Sequence, residues 1–153
     1  MPSFFTIGCY PLLDFPTFVS RLQSQDINCV VDIRQQEGIG DFSIERLPAL
    51  LKQQGIVYLP FNDVFDFDHS SIKRRNGSLH YERTIASDSF LQGISRLQNG
   101  ISKGYFIALL DDNSKPEGTP RFNIISRYLT SQGITVSHFL QNGTLVLHES
   151  LTQ

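Results

Sequence analysis

Two charged residues stand where a buried strand is predicted to end, in the run Val30-Val31-Asp32-Ile33-Arg34. Asp32 and Arg34 are two residues apart, so on a strand their side chains project from the same face. A carboxylate and a guanidinium placed in this way can position an anionic ligand, or they can form a structural ion pair that closes the end of the strand. The sequence leaves both interpretations open.

A further arginine, Arg121, follows a helix-start signal, Thr119-Pro120. Threonine is a good N-cap and proline is pre-shaped for the first helical position, so Arg121 is predicted to lie in the first turn of a helix. Free N–H groups and the helix dipole favour an anion there, and a guanidinium adds bidentate contacts to phosphate or carboxylate. The alternative is an ion pair between Arg121 and Asp32, Asp111 or Asp112.

Other reactive side chains carry weaker signals. Asp111, Asp112 and Glu117 offer oxygen ligands, but their spacing matches no calcium loop, which favours a solvated acidic loop. Cys9 follows Gly8 at a strand end with no histidine nearby in sequence, which favours a half-buried small residue over a nucleophile. The four histidines lack metal-ligand spacing. We therefore predict neither a metal nor a cofactor.

A basic segment runs from Lys73, Arg74 and Arg75 to Arg83, with aromatic residues interleaved. Cations beside aromatic rings are the ingredients of single-strand or nucleotide binding. Three aspartates just before the segment can neutralise it, so a solvated loop is the alternative.

Composition indicates a single folded domain spanning residues 1–153, since 40% of the residues are hydrophobic and only 18% are charged. The net charge of −2 provides no global field that would attract nucleic acid or an anionic membrane, so any such contact must come from a local patch. No apolar run approaches the about 18 residues of a spanning helix, so we expect no membrane association. Two cysteines without a leader segment predict a cytoplasmic protein without disulfides.

Hydrophobic periodicity predicts strands that alternate with helices. Strands are expected at 4–8, 27–33, 56–59, 105–110 and 134–140, and helices after Asp14, near Ser43 or Pro48, after Ser87 or Asp88, and after Thr119. Asn142-Gly143 predicts a type I′ turn into a final strand at 144–147.

This alternation requires a three-layer α/β fold that is Rossmann-like, with a mainly parallel sheet, helices on both faces and a C-terminal β-hairpin. Ligands bind such sheets beyond the carboxyl ends of the strands, where the strand order reverses. If the first and fourth strands are neighbours, the polar groups at those ends converge. The predicted ligand-binding residues are Gly8, Cys9, Tyr10, Asp32, Arg34, Asp111 and Arg121.

Periodicity fails from Pro60 to Ala86, where charges and aromatic residues alternate irregularly. A stretch of that length is usually functional or mobile. We expect its part from Asp63 to His80 to be the most mobile part of the monomer, and to fold over the strand ends as a lid or to pack against a second subunit as a homodimer, because clustered exposed aromatic side chains need cover.

Several short motifs resemble one family in their order and spacing, namely the bacterial and archaeal family of domains of unknown function 488. The motifs are Thr6-Ile7-Gly8, Val31-Asp32-Ile33-Arg34, Phe42-Ser43, Gly55-Ile56-Val57-Tyr58, Tyr81 with Phe90 and Gly93, and the segment Ala108 to Arg121. The resemblance covers nearly the whole chain. It implies a single α/β domain and brings no settled activity with it.

The chain departs from the family pattern at positions where chemistry would be expected. The family has His-Ser after Thr-Ile-Gly, a cysteine after the fourth strand and Cys-His-Arg at the next helix, whereas this chain has Cys9-Tyr10, Asp111 and Thr119-Pro120-Arg121. The resemblance implies site roles by position for Asp32, Arg34 and Arg121 in a divergent member.

Three functions follow as expectations. The first is binding of an anionic small molecule, a nucleotide or a nucleic-acid phosphate, in a cleft at the strand ends. The second is an enzyme acting at a phosphate or glycosyl centre, with Asp32 or Asp111 as general acid or base. The third is a catalytically inert protein-interaction module that uses the aromatic segment, meaning the irregular stretch from Pro60 to Ala86 with its interleaved aromatic residues.

Overall fold

The computed structural model describes residues 3–10, 13–34, 37–61, 77–113 and 120–151. The described strands form one six-stranded sheet in the order β3-β2-β4-β1-β5-β6. The first five strands run parallel, and β6 pairs antiparallel with β5. The strands are β1 (Ser3–Tyr10), β2 (Cys29–Asp32), β3 (Val57–Pro60), β4 (Ile107–Asn113), β5 (Thr135–Phe139) and β6 (Leu145–Leu147).

Helices cover both faces of this sheet, which confirms the predicted α/β class with its C-terminal hairpin. Along β4, Ile107 and Leu109 pack into one core and Ala108 and Leu110 into the other, as strand alternation requires. The helices are α1 (Phe15–Ser24), α2 (Leu47–Gln53), α3 (Gly77–Ile85), α4 (Asp88–Ser102), α5 (Pro120–Ser131) and α6 (His148–Leu151), with a 3₁₀ turn at Gly40–Phe42. The α1–α2 layer and the α3–α5 layer lie on opposite faces.

Local sequence explains where two of these helices begin. The Asp14 side chain accepts a hydrogen bond from Thr17 N at 2.8 Å, and Ser87 Oγ accepts one from Phe90 N at 3.4 Å. Both residues are therefore the N-caps that the sequence predicts. None of the described helices has the length and apolar character needed to cross a bilayer.

The prediction of irregular structure from Pro60 to Ala86 is wrong for its last part, because residues 77–85 form α3. Tyr81 and Thr84 are buried at a spacing of three residues, which places both on one face of the helix. This buried stripe is short and polar residues surround it in the sequence, so the hydrophobic periodicity of the helix cannot be recognised. The predicted lid and its mobility concern residues that lie mostly outside the described part of the chain.

Both boundaries of the fourth strand differ from the sequence prediction. The fourth strand begins at Ile107, two residues later than predicted, and Tyr105 and Phe106 before it are 37% and 51% exposed. It continues through Asp111–Asn113 because β1 provides hydrogen-bonding partners as far as Tyr10. Charged residues that a periodicity rule assigns to a loop are thus the end of a central strand.

The predicted hairpin is confirmed, but its predicted turn type is wrong. A type I′ turn needs a positive φ at Asn142, and Asp26 is the one non-glycine residue with a positive φ in the described ranges. The turn runs from Leu140 to Gly143, where Gly143 N donates to Leu140 O at 2.9 Å, and Gly143 has a φ of 89°. This is the three-residue hairpin loop in which glycine forms a bulge.

Candidate functional site

The sheet order reverses at the carboxyl end of the sheet, which is the end where the parallel strands finish. Strand β4 lies between β2 and β1. The chain leaves β1 and β2 toward the α1–α2 layer, but it leaves β4 toward α5 in the opposite layer. Connections that diverge between neighbouring strands open a crevice at this end of a parallel sheet.

Asp32 and Arg34 form a fully buried ion pair at this end of the sheet. Arg34 Nε donates to Asp32 Oδ1 at 2.9 Å and Arg34 Nη2 donates to Asp32 Oδ2 at 2.8 Å, while both side chains are 0% exposed. Arg34 N also donates to Oδ1 at 3.0 Å. The prediction that the two side chains share one face is confirmed, and the geometry supports the structural ion pair.

Tyr58 completes the hydrogen bonding of this carboxylate from the neighbouring strand. Its hydroxyl donates to Asp32 Oδ2 at 2.5 Å. Burial and the hydrogen bond to Asp32 raise the pKa of Tyr58 well above its ordinary value. The tyrosine therefore stays a donor at neutral pH, and both oxygens of Asp32 are occupied by donors from the protein.

Arg34 also connects the 3₁₀ turn at Gly40–Phe42 to the sheet. Its Nη1 donates to Phe42 O at 2.6 Å and to Cys9 Sγ at 3.8 Å. Burial alone would lower the pKa of Arg34, but the hydrogen bonds and charge of Asp32 outweigh burial and raise it. The permanently charged Arg34 thus connects β1, β2 and the 3₁₀ turn.

Cys9 is half-buried at the carboxyl end of β1. Burial raises the pKa of its thiol, and the nearby Asp112 carboxylate adds to that effect, although Arg34 acts in the opposite direction. Since the net shift is upward, the thiol is protonated at neutral pH. This arrangement favours the small half-buried residue over the nucleophile.

Asp111 lies at the same end of the sheet but on its other face. It is 2% exposed, it is aligned with Gly8 of β1, and its Oδ1 accepts from Asp112 N at 2.8 Å. Strand alternation places its side chain on the face of Leu109, toward the α3–α5 layer, whereas Asp32 is on the other face. The two carboxylates are therefore divided by the sheet.

The remaining predicted site residues are described only in part. Tyr10 ends β1 in register with Asn113, and Arg121 lies in the first turn of α5 as predicted, but the side chains of both are outside the description. Lys73, Arg74 and Arg75 lie outside the described residues, and Arg83 is exposed on α3. A common cleft for Asp32, Arg34 and Arg121 stays a prediction.

Two residues at this end were missed by sequence reasoning. Tyr58 shows its role only once the pairing of β2 with β3 is known, which places it two positions before the partner of Asp32. Arg96, on α4, has its guanidinium carbon 4.3 Å from the centroid of the Phe61 ring. Phe61 directly follows β3, and its N–H donates to Asp32 O at 2.8 Å. No local pattern signals this contact, which depends on tertiary packing.

A second buried polar cluster links β1, β5 and α6. Thr6 Oγ1 and His138 Nδ1 form a hydrogen bond, and His138 Nε2 lies 2.9 Å from His148 Nδ1. Burial lowers the pKa of His138 to about 3, and His148 adds to that effect, while burial also lowers the pKa of His148. Both rings are therefore neutral at physiological pH and serve as hydrogen-bonding groups in the core.

Within the described ranges, no three histidine, cysteine, aspartate or glutamate side chains are grouped so that they could hold a metal ion. The predicted absence of metal in the protein stays a prediction.

Comparison with known proteins gives one match. The family model described as Domain of unknown function DUF488 matches residues 14–129, which include Asp32, Arg34, Asp111 and Arg121. No curated protein and no solved structure matches the chain.

Proposed function

The chain belongs to the DUF488 family of domains of unknown function, and from that premise we propose that it binds an anionic small molecule through a phosphate group, in the form of a nucleotide or a nucleic acid. The proposed position is the carboxyl end of the sheet. The observation that carries the proposal is the place of β4 between β2 and β1, with connections that leave toward opposite layers. Ligands of open α/β sheets bind at such a position.

The polar groups at this end support a binding role. The buried Asp32–Arg34 pair fixes the end of β2 and the 3₁₀ turn, so the walls of the crevice are built in advance. The first turn of α5, with Pro120 and Arg121, begins just beyond β4. Free N–H groups of a helix start and an arginine are both suited to phosphate.

The enzyme alternative is less well supported for Asp32 than for Asp111. A general acid or base needs an oxygen within hydrogen-bonding reach of the substrate, and both Asp32 oxygens already accept from Arg34 and Tyr58. Asp111, on the other face of the sheet, is the remaining candidate for a general acid or base. Binding without chemistry is therefore our proposal.

We also propose that the protein is bacterial and works in the cytoplasm. Cys9 and Cys29 are both free thiols, which suits a reducing compartment. A homodimer that covers the aromatic segment before α3 is part of the same proposal, and its test is the molar mass of the purified protein in solution.

The binding proposal is tested by calorimetric titration of nucleoside mono- and triphosphates, inorganic phosphate and a single-stranded oligonucleotide of about ten nucleotides. The Arg121→Gln variant is expected to weaken binding about tenfold, because a charge-assisted hydrogen bond is lost. Lys103→Gln is the matched control, since Lys103 is an exposed cation that caps α4 at the opposite end of the sheet. If the parent protein binds none of these probes, the proposal is wrong and the interaction module takes its place.

A further inference from the structure

We propose that Arg96 is the side chain that contacts the phosphate group of the ligand at the carboxyl end of the sheet. This inference rests on the proposed function and goes beyond it, because it assigns the contact to a residue that the sequence pattern does not single out. Three observations carry it. The hydrogen-bond donors of Arg34 are occupied by groups of the protein, Arg96 lies over the Phe61 ring, and no carboxylate of the described residues pairs with Arg96.

Arg34 is poorly placed to bind an external anion, although sequence reasoning selects it. Its side chain is 0% exposed, and its Nε, Nη1 and Nη2 atoms all donate to groups of the protein. A phosphate that recruited Arg34 would leave the Asp32 carboxylate buried without its cation, which is strongly unfavourable. The phosphate contact therefore needs another cation.

Arg96 is an exposed residue near the middle of α4 whose side chain reaches the carboxyl end of the sheet. Its guanidinium carbon lies 4.3 Å from the centroid of the Phe61 ring. Phe61 is 2% exposed and is held by the hydrogen bond from its N–H to Asp32 O. The guanidinium is thus fixed beside the end of β3, on the α3–α5 face of the sheet, which is the face of Asp111 and not that of the buried ion pair.

The charge of Arg96 is available to a ligand. In the described residues the ion pairs are Arg34 with Asp32 and Arg46 with Asp41, and no carboxylate there lies within 4.0 Å of Arg96. A ring attracts a cation without cancelling its charge, so Phe61 restricts the side chain while leaving it positive. A guanidinium held in advance loses less conformational entropy on binding, and its N–H groups match a phosphate in bidentate fashion.

Arg127 provides a matched control on the same helical layer. It is also exposed, and its guanidinium carbon lies 3.8 Å from the centroid of the Tyr81 ring. The two arginines share the same local chemistry, but Arg96 lies over Phe61, which directly follows β3, whereas Arg127 lies over Tyr81 of α3.

The experiment measures the affinity of the parent, Arg96→Gln, Arg96→Lys and Arg127→Gln for inorganic phosphate, AMP, ATP and an oligonucleotide of about ten nucleotides. Arg96→Gln is expected to lower the affinity for the probe that binds the parent by about tenfold or more. Arg127→Gln is expected to lower it by less than about twofold. The affinity of Arg96→Lys is expected to lie between those of Arg96→Gln and Arg127→Gln, since lysine keeps the charge but loses the bidentate geometry. Binding of AMP or ATP indicates a free nucleotide as ligand, and binding of the oligonucleotide alone indicates a nucleic acid.

The outcomes separate the two proposals. If the parent binds a probe and Arg96→Gln behaves like Arg127→Gln, the role of Arg96 is wrong while the binding function stands. If the parent binds none of the probes, the binding function is wrong, and the role of Arg96 is wrong with it. Thermal unfolding of each variant shows whether it is folded, and if Arg96→Gln is not, a severalfold loss of affinity in folded Arg96→Lys supports the assignment and an unchanged affinity overturns it.

Discussion

Arg34 and Asp32 face each other through two parallel contacts of 2.9 and 2.8 Å, inside a part of the protein that water does not reach. The main-chain N–H of Arg34 and the hydroxyl of Tyr58 add further hydrogen bonds to the same carboxylate. Removing one member of such a pair strongly destabilises the folded protein, because the charge of the other member stays buried without its partner.

Asp32→Asn should therefore lower the free energy of unfolding by about 3–5 kcal/mol, because it leaves the Arg34 charge buried without its counterion. Asp41→Asn is the control, since the Asp41–Arg46 pair at 3.0 Å is 45% and 61% exposed and should contribute at most about 1 kcal/mol. Urea denaturation of both variants measures the difference. Equal losses in the two variants would show that the buried pair has no special role in stability.

The double variant Asp32→Leu/Arg34→Met should be more stable than Asp32→Asn, because no charge remains buried without a partner. The same denaturation experiment on the double variant checks this expectation. A double variant less stable than Asp32→Asn would contradict it.

Gly38 should tolerate a side chain much less well than Gly40. Both have a positive φ, of 77° and 60°, but a Cβ on Gly38 would lie 2.4 Å from Phe42 O and 2.6 Å from Arg34 Nη1, while a Cβ on Gly40 meets nothing within 4 Å. Gly40→Ala incurs only the backbone cost, about 1 kcal/mol, and Gly38→Ala should lose about 1–3 kcal/mol more because the clash is with main chain. Thermal unfolding of the two variants tests the ranking, and similar losses would contradict it.

Stability should fall as the pH decreases from about 6.5 toward 3. The pKa of His138 is lowered from 6.5 to about 3 in the folded protein, so in this range the unfolded chain binds a proton that the folded chain does not. The slope should approach 1.4 kcal/mol per pH unit for one such proton. The His138→Gln variant, followed by urea denaturation across this range, should show a smaller slope.

His148→Gln keeps His138 and serves as a second variant if His138→Gln does not fold. It removes the contribution of His148, whose pKa burial also lowers, together with the smaller part of the His138 shift that His148 causes, while burial of His138 remains. It should therefore retain most of the slope. A flat stability profile in the parent protein between pH 6.5 and 3 would contradict the neutral state of both rings.

Cys9 should react slowly with an alkylating reagent at neutral pH, because burial raises the pKa of its thiol above the ordinary value of 9.0. Cys29 should react more slowly still, since it is 1% exposed and burial raises its pKa to about 11. Mass spectrometry of alkylated peptides measures both rates. A Cys9 that reacts faster than a small free thiol would restore the nucleophile interpretation.

Those features of the fold that depend on local pattern could be predicted from the sequence. The N-caps at Asp14 and Ser87 follow from residue type, and the pairing of Asp32 with Arg34 follows from strand alternation. Features that depend on register between distant strands could not. Tyr58 reaches Asp32 only because β3 pairs with β2, and Asp111 is separated from Asp32 because alternation along β4 places it on the other face.

Helix α3 and Arg96 show a further limit of local pattern. The apolar stripe of α3 is too short to be distinguished from its polar surroundings, and Arg96 reads as an ordinary exposed residue of an amphipathic helix. Only the packing of α4 beside the end of β3 places the guanidinium over Phe61. Sequence reasoning selects Arg34, a residue whose charge the structure shows to be paired with Asp32.

The central place of β1 has a consequence for the order of folding events. Both neighbours of β1 come from the second half of the chain, with Phe4 paired to Ile107 on one side and to Val136 on the other. During synthesis β1 must therefore wait for about 100 further residues before its first partner, β4, emerges from the ribosome, and longer for β5. Contacts of such large sequence separation slow folding and leave apolar strands exposed in the meantime. The apolar side chains of β1 are thus expected to lack their sheet partners until both β4 and β5 have been made.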